Sequence, residues 1–201
     1  MATTAPPEPR APAPERAGAP RAPLAPLAVL GAVAVLSALA LAGLGRRSLW
    51  LDEAISVGAT EQLVRTWRDT GGTMAAYYAL LTPWSWVSVD RWWLRLLSLL
   101  LAAAALVVVH AVARRLVSAR GAAAATLATA ASWLVVRYAQ EARAYALVLL
   151  VCSASWWALV RAVDAPTDDA RAHWWRRYAV LVVLAPLAHG LAVLQFAAQV
   201  A

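Results

Sequence analysis

Five apolar runs, at 24–44, 93–113, 121–136, 144–163 and 178–200, constrain this chain more than any other feature. A bilayer core takes roughly 20 apolar residues per helix. Inside it every backbone N–H and C=O has to find a partner within the chain, so each crossing is helical. The run at 121–136 is short and rich in Ala and Thr, which suits packing inside a bundle rather than against lipid. The expected fold is all-α: a polytopic transmembrane bundle of about five spans. An amphipathic juxtamembrane helix is expected in the first extracytoplasmic loop.

Composition agrees. The chain is 62% hydrophobic with a mean hydropathy of +0.61, well above a soluble domain. Its formal charge is +7, and all eighteen basic residues are Arg. In a membrane protein such an excess reports orientation and contact with anionic lipid, and no nucleic-acid partner is called for. The one cysteine, Cys152, excludes an intrachain disulfide and a Cys-based metal cluster. Residues 1–23 hold seven prolines among Ala and Arg, the composition of a disordered cytoplasmic tail, leaving 24–201 as the membrane domain.

Arginine sidedness sets the topology. The stretch 74–89 is apolar but short, with Pro83 inside it. If it does not cross, Arg114, Arg115, Arg120, Arg161, Arg171, Arg176 and Arg177 share the side of the Arg-bearing N-terminus, as the positive-inside rule asks. The segment 46–92 is then one long extracytoplasmic loop. The chain is a multi-pass plasma-membrane protein with a cytoplasmic N-terminus. Within that loop Ile55, Ala59, Leu63 and Trp67 recur every four residues, the stripe of a helix lying in the interface. Gly71-Gly72 ends it.

Two polar clusters face the same side. The first is Asp52-Glu53, just past the first run, with Trp50 at headgroup depth. Adjacent carboxylates there either serve chemistry or complement the positive end of a surface helix. The second is Arg137-Tyr138-Ala139-Gln140-Glu141-Ala142-Arg143-Ala144-Tyr145, a connection without Gly or Pro. It reads either as a site or as an anchor belt in which Glu141 pairs with Arg137 or Arg143. Arg95 lies inside the outer end of the second run, as a snorkelling side chain or a phosphate clamp. His189, inside the fifth run, is on its own a helix–helix hydrogen-bonding group before it is a ligand.

Taken together, Leu49-Trp50-Leu51-Asp52-Glu53-Ala54, Leu94-Arg95-Leu96-Leu97-Ser98, Tyr138 through Leu147 and Ala188-His189-Gly190 resemble the N-terminal part of the GT-C superfamily of membrane glycosyltransferases. The likeness is to the protein-mannosyltransferase-like family 39 and its bacterial branch. The resemblance implies transfer of a sugar, such as mannose or another hexose or pentose, from a polyprenyl-phosphate carrier to a lipid, glycan or protein hydroxyl at the outer face, with inversion. It implies Asp52 as the base, with Glu53 and Glu141 as further catalytic carboxylates. Arg95, Arg143, Gln140, Tyr145 and His189 would then bind substrate. No cofactor is called for, and a divalent metal stays open. The chemistry is coherent: a hydroxyl needs a carboxylate to take its proton, and the departing phosphate gains charge that guanidinium stabilises.

Two departures stand out. Many members carry a His-Pro-Pro-like segment where this chain reads Gly71-Gly72-Thr73-Met74-Ala75-Ala76-Tyr77-Tyr78. Members are also much longer, so the chain is expected to be a fragment holding the acidic part of a site. Two other classes compete, a transporter or flippase bundle and a non-catalytic membrane fragment. Transporters place ionisable groups near the midplane on broken helices, whereas these carboxylates cluster at one interface.

Overall fold

The computed structural model describes residues 24–46 and 48–200. The proline-rich stretch 1–23 lies outside the described residues. All regular structure among the described residues is helical: α1 (Leu24–Leu44), α2 (Leu51–Glu61), α3 (Leu63–Thr70), α4 (Ala75–Ser85), α5 (Arg91–Leu116), α6 (Ala119–Ala131), α7 (Trp133–Ala139), α8 (Tyr145–Val163), α9 (Asp168–Ala188), a 3₁₀ turn (Gly190–Val193) and α10 (Leu194–Val200). Three of these are long and apolar enough to cross a membrane, in α1, α5 and α8; α6 and α7 make a fourth if the bent pair counts as one span.

Local chemistry explains several helix ends. Ser118 Oγ accepts the Gly121 N–H at 3.2 Å and starts α6, and Thr167 Oγ1 accepts the Ala170 N–H at 3.2 Å and starts α9. Asp168 and Asp169 fill the first turn of α9, where the helix dipole favours negative charge. Gly71 closes α3 in the left-handed region at φ 60°, the conformation glycine adopts without a Cβ penalty.

Three of the expected segments are broken rather than continuous. The 121–136 run is not one straight helix but two, bent by 56° at Ser132 with neither Pro nor Gly at the break. The apolar stretch 178–200 is divided as well. Pro186 lacks the N–H that would continue the ladder, α9 ends at Ala188, and His189 is extended before the 3₁₀ turn. The interfacial helix breaks at Gln62, and the stripe that reaches inward on α2 is Glu53, Ser56 and Ala59. Of the expected stripe Ala59 is buried, while Ile55 and Trp67 are exposed. The partner of Glu53, described below, turns α2 about its axis.

Two apolar cores hold the bundle. In one, Ala32, Leu36 and Ala40 of α1 meet Leu99, Ala102 and Leu106 of α5 and Ala130 of α6. The four-residue spacing on α1 is one helix face, and alanine there lets backbones approach. Leu27, Leu30 and Leu41, on the rest of α1, are exposed. In the other core, Tyr77 and Leu81 of α4 meet Leu94, Leu147, Ala185 and Ala188. A reciprocal clamp fixes α4 to α5: the indole N–H of Trp84 donates to the Trp93 carbonyl at 2.8 Å, that of Trp93 donates to the Trp84 carbonyl at 2.9 Å, and the rings stack at 4.4 Å.

The bundle has two chemically distinct ends. The C-terminus of α1 and the first turn of α5 meet at one, through Arg95 Nη1 donating to the Leu44 carbonyl at 2.7 Å. The start of α8 joins them there, with Ser98 Oγ donating to the Arg143 carbonyl at 3.4 Å. At the other end Arg115 of α5 meets Asp164, just past α8, at 3.2 Å.

Candidate functional site

The site grows outward from a buried ion pair. Glu53 is the third residue of α2 and has no exposed surface. Its Oε2 reaches back to accept the Trp50 N–H at 3.3 Å, half of a capping box. Arg95 grips both oxygens: Nε donates to Oε1 at 2.8 Å and Nη2 to Oε2 at 2.7 Å. The Ala142 N–H adds a second donor to Oε1 at 2.8 Å. Arg95 also donates to the carbonyls of Leu44 and of Ser48, at 2.7 and 3.0 Å. One guanidinium therefore ties together α1, the 45–50 connection, α2 and α5. Burial alone would raise the carboxyl pKa of Glu53. The Arg95 hydrogen bonds, the Ala142 N–H and the Arg95 charge outweigh it and hold the group below its ordinary value of 4.5.

The turn between α7 and α8 meshes with this pair residue by residue. Glu141 pairs with Arg137 one helical turn back. Ala142 donates to Glu53. Arg143 Nη1 lies 3.2 Å from Asp52 Oδ2 and 3.3 Å from the Asp52 carbonyl, across 91 positions of sequence. Asp52 is 37% exposed, against none for its neighbour Glu53. Adjacent carboxylates in sequence are thus opposite in kind: one is enclosed and saturated, the other is anchored on one side and open on the other.

Gln140 locks the turn against α1. Its Nε2 donates to the carbonyls of Leu39 and Ala40 at 3.1 and 3.2 Å. The side chain lies where a Cβ on Gly43 would be, as little as 2.4 Å from it, so any larger residue there would have to displace the Gln140 amide. Beside this contact a cavity of about 580 Å³ opens, lined by Arg46, Trp50, Arg95, Arg137, Gln140 and Glu141 among others. Its lining brings cationic groups and a carboxylate to one polar space. Arg46 and Gly43 follow from no motif. The signal that could have found them is position, the last turn of a span and the first charge after it.

Around Asp52 the walls are aromatic. The Arg143 guanidinium sits 5.6 Å from the centre of the Tyr145 ring. Tyr145 stacks on Tyr138 at 4.2 Å and lies 5.4 Å from His189. His189 Nδ1 accepts the Leu191 N–H at 3.2 Å, which fixes the ring. Tyr78 completes the rim: burial raises its pKa, and the charges of Arg143 and Asp52 act on it in opposite directions. The Nε of Arg143 is buried without a hydrogen-bond partner among the described residues.

The residues singled out in the sequence accordingly fall into two neighbouring groups. Asp52, Arg143, Tyr145 and His189 form one, and Glu141 and Gln140 border the cavity in the other; the Glu53–Arg95 pair lies between them, with Glu53 next to Asp52 in the chain and accepting the Ala142 N–H, and Arg95 lining the cavity. Among the described residues no group of three or more His, Cys, Asp or Glu side chains is placed to hold a metal ion. Compared with known proteins, the chain matches no family model, no curated protein and no solved structure.

Proposed function

We propose that this chain is a membrane-embedded glycosyltransferase, or the N-terminal part of one, that takes a sugar from a polyprenyl-phosphate carrier to a hydroxyl acceptor. The observation that carries this reading is the meeting of the two polar loops. Arg143 holds Asp52 at 3.2 Å while over a third of the Asp52 side chain stays accessible. A general base needs this combination, a fixed orientation and an open approach for the proton it takes.

In the proposed reaction Asp52 removes the acceptor proton, the acceptor oxygen bonds to the anomeric carbon, and the bond from that carbon to the phosphate oxygen breaks. The polyprenyl phosphate leaves with the electron pair and one more negative charge. Arg95 is so fully engaged by Glu53 and two carbonyls that we assign it and Glu53 to positioning. Arg46 and Arg137, which face the 580 Å³ cavity, are the groups proposed for the phosphate. Tyr145 and His189 offer a ring surface for the sugar. Gln140 and Glu141 shape the cavity wall.

The proposed membrane arrangement has five crossings: α1, α5, the bent α6–α7 pair, α8, and the segment running through the break at His189. The N-terminus is cytoplasmic and 46–92 faces outward. That break and the bend at Ser132 are the features that favour a transporter instead, since transporters build sites at interrupted helices.

One experiment separates the two. The purified chain in liposomes is given polyprenyl-phosphate mannose together with a hydroxyl-bearing glycolipid acceptor, and release of polyprenyl phosphate with glycosylation of the acceptor is followed. Turnover that falls at least about 10²-fold in Asp52→Asn supports the transferase. Turnover within a few-fold of the parent chain in that variant rejects Asp52 as the base. Movement of intact donor across the bilayer without cleavage rejects transfer altogether.

A further inference from the structure

The end of the bundle away from Asp52 carries a second, differently built cluster. Arg161 lies over two indoles, 5.6 Å from the centre of Trp157 and 4.9 Å from that of Trp174. Arg177 lies 4.7 Å over Trp174, and Arg115 5.6 Å over Trp157. The two indoles meet edge to face at 6.4 Å. Three guanidiniums are thus gathered on ring faces, and of these only Arg115 also meets a carboxylate. Among the described residues Arg115 meets Asp164 and Arg171 meets Asp168, whereas no ion pair involves Arg161, Arg176 or Arg177. Converging like charge is unfavourable unless an anion offsets it.

A cavity of about 470 Å³ opens beside the cluster, between α8 and α9. One part of its wall is His173, Trp174, Arg176 and Arg177. The other part is apolar and includes Ala154, Leu181 and Val180, the last of them exposed on α9. Because α8 ends and α9 begins at this end of the bundle, the cationic residues lie nearer the end and the apolar ones further along the helices. A ligand that fits is an amphiphile with an anionic head and a hydrocarbon tail.

We propose that this cavity is a binding site for an anionic phospholipid. The phosphate is met by Arg176 and Arg177, which line the cavity, with the charge of Arg161 behind them on the lining indoles of Trp157 and Trp174, and an acyl chain lies along the apolar wall of α8 and α9. The chemistry shared with a soluble phosphate is the guanidinium–phosphate contact, and the apolar wall favours the lipid as its source. The indole faces orient Arg161 and Arg177, so less side-chain freedom is lost when the headgroup binds. The site is independent of the transferase reading, since none of its residues borders Asp52.

The test uses the purified full chain in detergent, titrated separately with phosphatidylglycerol and phosphatidylcholine, with bound lipid read by native mass spectrometry. Phosphatidylglycerol is expected to bind at least about tenfold more tightly, a preference that weakens as salt is raised. In the double variant Arg161→Gln/Arg177→Gln the preference falls below about threefold. Glycerol phosphate, offered as the soluble source, does not displace the lipid. Equal retention of the two lipids by the parent chain overturns the proposal without reference to any variant. Displacement by glycerol phosphate, or a preference unchanged in the double variant, overturns it too.

Discussion

The two ends of the bundle use arginine in opposite ways. At the α1–α5 end Arg95, Arg143 and Arg137 each meet a carboxylate, those of Glu53, Asp52 and Glu141. At the α8–α9 end Arg161 and Arg177 lie on indole faces and Arg115 is shared between Trp157 and an exposed Asp164. A bidentate pair is directional and fixes the loops that carry it. A guanidinium over a ring keeps its in-plane donors free for a ligand. The first end is therefore organised by internal pairing, with openness left at Asp52 and the cavity. The second has positive charge to offer to something outside the chain.

The contrast is broken most sharply at the buried pair. Replacing Arg95 by Met leaves the Glu53 carboxylate enclosed and unpaired, and should destabilise the fold by about 3–5 kcal/mol. Thermal unfolding in detergent measures this. The double change Glu53→Gln/Arg95→Met should recover a large part of the loss. If Arg95→Met alone costs less than about 1 kcal/mol, the pair does not organise this end.

Asp52→Asn should behave in the reverse manner. Its ion pair is partly exposed, so stability should change by about 1 kcal/mol or less, while the proposed transfer falls at least about 10²-fold. Parallel unfolding and turnover measurements separate the adjacent carboxylates by role. A large stability loss in Asp52→Asn would show that both belong to one structural network.

Gly43→Ala tests how the 140–145 turn is seated. Its new Cβ meets the Gln140 side chain at 2.4 Å, and overpacking of this kind costs typically about 1–3 kcal/mol. Adding Gln140→Ala should relieve most of that. If the double variant is no more stable than Gly43→Ala alone, the strain lies elsewhere.

Acid should act on the two ends unequally. Glu53 is held below 4.5 when folded, so it binds fewer protons folded than unfolded. Its contribution to stability is full above that ordinary value and is lost as pH falls through the lowered folded one. Hydrogen exchange across α2 and the first turn of α5 should accelerate in that acid window before exchange across the junction of α8 and α9. Simultaneous loss of protection at both ends would refute this order. The smallest effect is expected at the other end itself. Asp164→Asn removes an exposed partner of Arg115 and should shift stability by less than about 1 kcal/mol.

Much of the helical plan was legible in the residues. The first apolar run coincides with α1, the second lies within α5, and the fourth coincides with α8 to within one residue. Gly71 ends α3 where the glycine pair predicts a stop. The bend at Ser132 was not legible, because no Pro or Gly marks it. Neither was the facing of α2, where Glu53 and Ser56 are buried beside Ala59 while Ile55 is exposed. The acid turns inward toward Arg95, which is buried with only 3% exposure and would be costly to leave without a carboxylate.

The long apolar runs by themselves determined that this chain is helical, since a backbone without water must bond to itself. The residue types likewise determined that carboxylates and guanidiniums flank the runs. Only the tertiary structure decided which carboxylate is enclosed and which is open. Asp52 and Glu53 are neighbours of the same chemical class, and along a helix neighbours point about 100° apart. The rotation that sends one toward Arg95 and leaves the other beside Arg143 is set by contacts with residues 42 and 91 positions away.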